Sequence, residues 1–280
     1  LQTLLIENPT RDRIRRLIKT SQPHDPMGDF EFQFDSEGTF AVVYRQGDVI
    51  LAGAITVITK DWAYVETVWV DESLRGQGIG RKLMRAVESY VHQIGLNGIL
   101  LYTIDFQAPE FYLKLGYELL GKLPNRPHGY DATYYIKTDF VTDALTSEFT
   151  VENPVTETSF DIIEDGLTQH AAQYETIVVH ERLIEVQDAD GRVCGGMFGH
   201  EFWGYLDIHL LYANDTDTLK LLLERVNQYC DDHQIGIVTH AFSTEQWDML
   251  VSYGYEIFGE LPDRPTGVTC KILVYPQPSN

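Results

Sequence analysis

The chain has 280 residues, 44% of them hydrophobic and 22% charged, and a net charge of −21. That length accommodates two domains of ordinary size, and the composition is that of a soluble globular protein. The acidity disfavours nucleic acid as a partner, and no run approaches the ~18 uncharged apolar residues of a membrane span.

In chain order, Pro9 to Thr20 places Ile14, Leu17 and Ile18 on one apolar stripe of a helix. A polar loop, SQPHDPMGD, follows. Three strand-like runs come next, Thr39–Arg45, Val49–Thr59 and Trp62–Val70, with Gly47-Asp48 and Lys60-Asp61 at the turns. They predict an antiparallel meander. Residues 78–94 put Ile79, Leu83, Val87, Tyr90, Val91 and Ile94 on one helical face. Gly98–Thr103 reads as a buried strand, Ala108–Leu115 as a short helix ended by Gly116, and Ala132–Lys137 as a strand.

The chain then repeats itself. Residues 116–129 read GYELLGKLPNRPHG and residues 254–267 read GYEIFGELPDRPTG, identical at nine of fourteen positions 138 residues apart. Trp62–Glu66 is echoed by Trp203–Asp207 at 141, and Ile99–Leu101 by Ile237–Thr239 at 138, so three residues are lost between these anchors. This is an internal duplication. Its boundary is expected near residues 140–149, giving domains 1–140 and 141–280. The acidity is uneven: residues 1–140 carry 15 basic and 18 acidic side chains, residues 141–280 carry 6 and 24. A solvated acidic surface on the second copy accounts for that. All three cysteines, Cys194, Cys230 and Cys270, lie in the second copy without CxxC or zinc-ligand spacing. Reduced thiols, a cytoplasmic location and no metal are expected. The N-terminus shows no basic flank leading into an apolar core, so no signal peptide is expected.

The lost residues fall where the first copy reads VWVDESLRGQGIGRKLM. Gly76, Gly78 and Gly80 permit a tight turn straight into a helix, whose free N–H groups and positive dipole end suit an anion. Arg75 and Arg81 add charge. An RxxGxG loop between strand and helix therefore reads as a diphosphate cradle.

Strand meander, RGQGIG, helix, strand and FYLKLGY together resemble the GNAT superfamily of acetyl-CoA-dependent N-acyltransferases, over about residues 39–137. The resemblance implies an α/β (α+β) fold of two tandem GNAT-like domains, each a mixed, mostly antiparallel sheet flanked by helices. It implies that Arg75, Gly76, Gln77, Gly78, Ile79, Gly80 and Arg81 bind the coenzyme A pyrophosphate. The backbone of Val68, Trp69 and Val70 would bond the pantetheine amides. Tyr112 matches the family tyrosine that protonates the departing thiolate, and Glu66 a carboxylate that draws the proton off the acceptor amine. Phe111 and Leu115, four apart, read as core, with Tyr112 one step off and facing a cleft. His24, Asp25 and His128 sit in loops and carry no assignment.

In the second copy the corresponding stretch YANDTDTL, residues 212–219, has no glycine and carries Asp215 and Asp217. Tyr112 corresponds to Leu250 and Glu66 to Asp207. One working site per chain is expected, in residues 1–140. It would acetylate a small-molecule or peptide primary amine in a monomer acting as a pseudo-dimer, or in a homodimer. The rival readings are a coenzyme A-binding regulator without turnover and an interaction protein with an acidic docking domain.

Overall fold

The computed structural model describes residues 1–21, 38–140, 148–171 and 178–276. The first half runs β1 (Gln2–Glu7), α1 (Arg11–Ser21), β2 (Thr39–Gln46), β3 (Val49–Thr59), β4 (Trp62–Val70) and a 3-10 turn (Glu72–Leu74). It continues through α2 (Ile79–Gln93), β5 (Gly98–Ile104), α3 (Pro109–Lys114), β6 (Glu118–Leu123) and β7 (Ala132–Lys137). The second half has the same plan. It begins with β8 (Phe149–Glu152), α4 (Glu157–Ala171), β9 (His180–Gln187), β10 (Val193–Phe202) and β11 (Tyr205–Ala213). It ends with α5 (Thr216–His233), β12 (Gly236–Ala241), α6 (Thr244–Ser252), β13 (Glu256–Leu261) and β14 (Cys270–Tyr275).

Two seven-stranded sheets result, ordered β6-β7-β5-β4-β3-β2-β8 and β13-β14-β12-β11-β10-β9-β1. Each is antiparallel except at one central pair, β4·β5 or β11·β12. The expected mixed, mostly antiparallel sheets flanked by helices are present, and the 39–70 meander is antiparallel. Four strands escaped the sequence reading: β1 and β8, which open the halves, and β6 and β13 inside the repeated segments.

The opening strand and helix of each half belong to the other half's sheet. β1 pairs with β9 along its full length, and α1 lies on β10 and β11. The predicted stripe of α1 holds: Ile14 and Leu17 are buried, against Leu183, Phe198 and Leu210. Arg13 bonds the buried Glu185 at 3.1 and 3.3 Å. Reciprocally, β8 pairs with β2, and α4 lies on β3 and β4. That helix comes close because two glycines make room: a Cβ on Gly53 would strike Ile163, and one on Gly166 would strike the Trp69 indole. A cut near residue 140 therefore crosses both sheets, although chain order suggests two separate domains.

The two sheets share a core in which Trp62, Leu100, Leu123 and Tyr134 pack with Tyr205, Val238, Leu261 and Ile272. The contacts are reciprocal. Trp62 Nε1 donates to Pro262 O and Tyr205 OH to Pro124 O, both at 3.1 Å. Arg126, fully buried, forms two bonds to Asp207 at 2.7 and 2.6 Å and lies over the Phe202 and Tyr205 rings. Its counterpart Arg264 reaches back to Thr59 Oγ1 at 3.0 Å. The repeated LPxRPxG segments form this interface, which explains why both copies keep them.

Strand pairing also corrects the alignment of the copies. Trp62 faces Gly98 in the first parallel pair, and Tyr205 faces Gly236 in the second. Tyr205, not Trp203, is thus the counterpart of Trp62. Trp203 sits at the hairpin turn with φ 51°, in the place of Lys60 with φ 59°. A matching tryptophan drew the sequence alignment off register, and the stretch lost before α5 is longer than three residues.

Candidate active site

β4 and β5 pair only from Trp62 to Val65 and from Gly98 to Leu101, then part. Glu66 is the extra residue of a bulge against β3, where Thr56 faces Val65 and Ile55 faces Thr67. A bulge sharpens twist and bends a strand away from its neighbour. The resulting wedge opens a cavity of about 900 Å³. On its side the β4 edge beyond Val65 has no strand partner among the described residues. Val68, Trp69 and Val70 all line it, as do Glu66, Tyr112 and the loop from Arg75 to Arg81 except Gln77. Gln77 turns its side chain onto Ser73 O at 2.7 Å.

The loop has the form that its glycines predict. Gly76 and Gly78 have φ of 73° and 81°, a region costly for other residues, and open space lies where each would carry a Cβ. Gly78 is the N-cap of α2, so the amides of Ile79, Gly80 and Arg81 have no acceptor within the helix. Gly80 instead faces the Phe111 ring. Arg75 is held by a 3.0 Å bond from Nε to Val70 O, and both Arg75 and Arg81 are exposed. Free amides, a dipole end and two guanidinium groups at one mouth of the cavity fit a diphosphate.

Tyr112 is more buried than sequence periodicity suggests. It is 7% exposed, whereas Phe111 and Leu115, expected in the core, are only partly buried. Its ring packs among Phe111, Tyr117 and Tyr135 while bordering the cavity. Burial pushes its phenol well above the ordinary value, so it keeps its proton at neutral pH. Glu66 reaches solvent through the open cleft, yet its carboxyl is held above its usual range. Desolvation by the walls is the main cause and the nearby Glu164 carboxylate the second.

The second half builds much of this cavity, which sequence reasoning missed. α4 contributes Glu164, Leu167 and Thr168, and β10–β11 contribute His200, Phe202, Trp203, Asp207 and His209. Thr67 Oγ1 donates a short bond to Glu164. The Glu66 assignment needs one correction: its counterpart at the β11 bulge is His209, not Asp207, because His209 is the extra residue between Leu210 and Ile208. Asp207 occupies the place of Tyr64. The Leu250 assignment agrees with the backbone: Tyr117 N donates to Tyr112 O, and Tyr255 N to Leu250 O.

No comparable anion cradle forms in the second half. Asp215 caps α5, its own carboxylate accepting from Thr218 N at 2.7 Å. An internal anion thus occupies the helix end. His128 is exposed and outside the cavity, and His24 and Asp25 lie outside the described residues. Among the described residues, no three His, Cys, Asp or Glu are grouped to hold a metal, and no helix is long and apolar enough to cross a membrane.

Comparison with known proteins matches residues 10–117 to the acetyltransferase (GNAT) family. A blasticidin-S acetyltransferase of Streptomyces morookaense is 33% identical over 89 residues, 31% of this chain and 65% of that protein, a little under two thirds of its length. An IAA acetyltransferase of Azospirillum brasilense is 28% identical over 46% of this chain and 91% of that protein. A solved acetyltransferase from Bacillus cereus is 27% identical, with a TM-score of 0.40, over 47% of this chain and 95% of that one. Residues 10–117 are thus the part of the chain that matches a GNAT acetyltransferase domain.

Proposed function

We propose that the chain is an acetyl-CoA-dependent N-acetyltransferase with one working site, in the β4–β5 wedge of the first half. The observation carrying this reading is the convergence, in one cavity, of an anion-binding loop, an unpaired strand edge, Tyr112 and Glu66. Amides of Gly78 to Arg81, with Arg75 and Arg81, would hold the pyrophosphate, and the free edge at Val68, Trp69 and Val70 the pantetheine arm. When bound, acetyl-CoA supplies the acetyl group as a thioester. Glu66 takes the proton of the acceptor amine, directly or through water, as the amine attacks. Its raised pKa makes it a better base than an ordinary carboxylate. Tyr112 gives its proton to the departing sulfur. Burial weakens it as an acid, so its contribution grows only as charge develops on sulfur.

The second half would bind no coenzyme A, and the reciprocal interface supports a chain acting as its own pseudo-dimer. Three unpaired cysteines suit a cytoplasmic location, and a net charge of −21 argues against nucleic acid. The test is calorimetric titration with acetyl-CoA followed by thiol release across a panel of primary amines. Saturation near one equivalent and amine-dependent release are expected. Binding without release from any amine would favour a regulator without turnover.

A further inference from the structure

Glu66 and Glu164 bring two carboxylates into the cleft, one from each half, close enough that the second raises the pKa of the first. Glu164 is fixed there. Gly53 and Gly166 let α4 seat on β3 and β4, and the Thr67 hydroxyl donates to its carboxylate. Nothing described on this stretch of the cavity offsets the pair. The lining arginines, Arg75 and Arg81, belong to the glycine loop, and Asp207 is already neutralised by Arg126. His209 is pushed down to about 4, and His200 is also lowered, by burial first, so neither brings positive charge at neutral pH. The adjoining wall is aromatic: Tyr64 stacks with Tyr102, and Trp203 meets Tyr102 edge-on, each at 6.4 Å. Phe106 and Phe202 extend it. Like charges beside ring faces form an environment that a cation relieves and a neutral molecule does not.

We propose that the acceptor is a ring-bearing cationic amine, its ammonium held between Glu66 and Glu164 and its ring laid on the aromatic wall. The second half is then the specificity half of the site. This rests on reading the cleft as the acceptor site, and it narrows the acceptor to a class. Glu66 binds the ammonium and then takes one proton from it, which frees the nitrogen lone pair for attack. The second proton, lost as the amide forms, passes through water to replace the one Tyr112 gives to sulfur, and Glu164 only binds.

The test uses the full chain and 2-phenylethylamine as probe, with 2-phenylethanol as its neutral isostere. Each is titrated calorimetrically, with and without saturating coenzyme A. The amine is expected to bind about fivefold more tightly than the alcohol, the upper end for one partly exposed ion pair. Glu164→Gln should lower that ratio, Glu66 alone remaining, while leaving coenzyme A affinity and the circular dichroism spectrum unchanged, and Glu164→Asp should restore part of it. Equal affinity for amine and alcohol would overturn the inference, as would an undiminished ratio in folded Glu164→Gln, or no amine binding at all. Failure of coenzyme A to bind counts against the catalytic reading alone, because the amine arm without it still decides this one.

Discussion

Tyr112 and Glu66, an acid and a base, are shifted in the same direction for the same physical reason. Burial favours the neutral form of both, and in both cases it raises the pKa. Tyr112→Phe keeps the ring packing with Tyr117 and Tyr135 but removes the proton. Turnover should fall by about 10²–10⁴ with acetyl-CoA affinity unchanged, read by steady-state kinetics beside calorimetry. Near-normal turnover would mean that Tyr112 only packs. For Glu66, a base works when ionised, so kcat/KM should fall as pH drops through its raised pKa, at higher pH than an ordinary carboxylate would give. Glu164→Gln removes the repulsive charge, and the acid limb should move to lower pH. The stability effect has the opposite sense. A carboxyl whose folded pKa is raised costs stability once pH passes its unfolded value, so Glu66→Gln should melt no lower than the parent at neutral pH. Any gain should vanish in acid, below both pKa values.

At the scale of the element, the loop before α2 was legible because its chemistry is local. Glycines at positive φ, flanking arginines and an immediate helix start are written in consecutive residues. The strands of the meander were legible for the same reason, their alternation and turn residues being contiguous. The β4 bulge was not, since a bulge exists only relative to the partner strand, and Trp203 supplied a misleading anchor. β6 was hidden because its residues, Glu118–Leu123, read as part of a repeat motif rather than as a strand. The loop reading yields a controlled comparison. Gly78→Asn and Gly78→Asp both place a side chain at φ 81°, at a similar backbone cost of about 1–2 kcal/mol. Only the second adds a charge at the helix N-terminus. Gly78→Asp should weaken acetyl-CoA binding beyond the asparagine variant by at least roughly tenfold, the worth of about 1.4 kcal/mol. Equal affinities would remove the α2 end from pyrophosphate binding.

At the scale of the whole molecule, the sequence revealed two copies but not their exchange of opening elements. The stripe of α1 says that Ile14 and Leu17 will be buried, and it is silent on which sheet buries them. The exchange makes the halves interdependent. Residues 1–140 alone would lack β8 and α4, leaving the β2 edge and the face of β3 and β4 uncovered, while β1 and α1 would have lost their sheet. Such a fragment should be insoluble or self-associated, as judged by analytical ultracentrifugation. A stable active monomer would show that the exchange is dispensable. The Arg126–Asp207 pair probes the same union without truncation. Burial works against the Arg126 charge, and the Asp207 carboxylate more than offsets it, which leaves the guanidinium pKa above its ordinary value. Removing the arginine strands a partly buried carboxylate, and breaking a buried pair costs about 3–5 kcal/mol. Arg126→Ala should therefore lower the free energy of unfolding, read by denaturant titration, by that amount, whereas Arg126→Met with Asp207→Leu, which removes both charges and refills the space, should recover most of it. Because Asp207 also lines the cavity beside Trp203, the double variant should keep coenzyme A affinity and lose acceptor affinity. If it keeps both, the Arg126–Asp207 pair is scaffold alone, and recognition by the second half rests on Glu164.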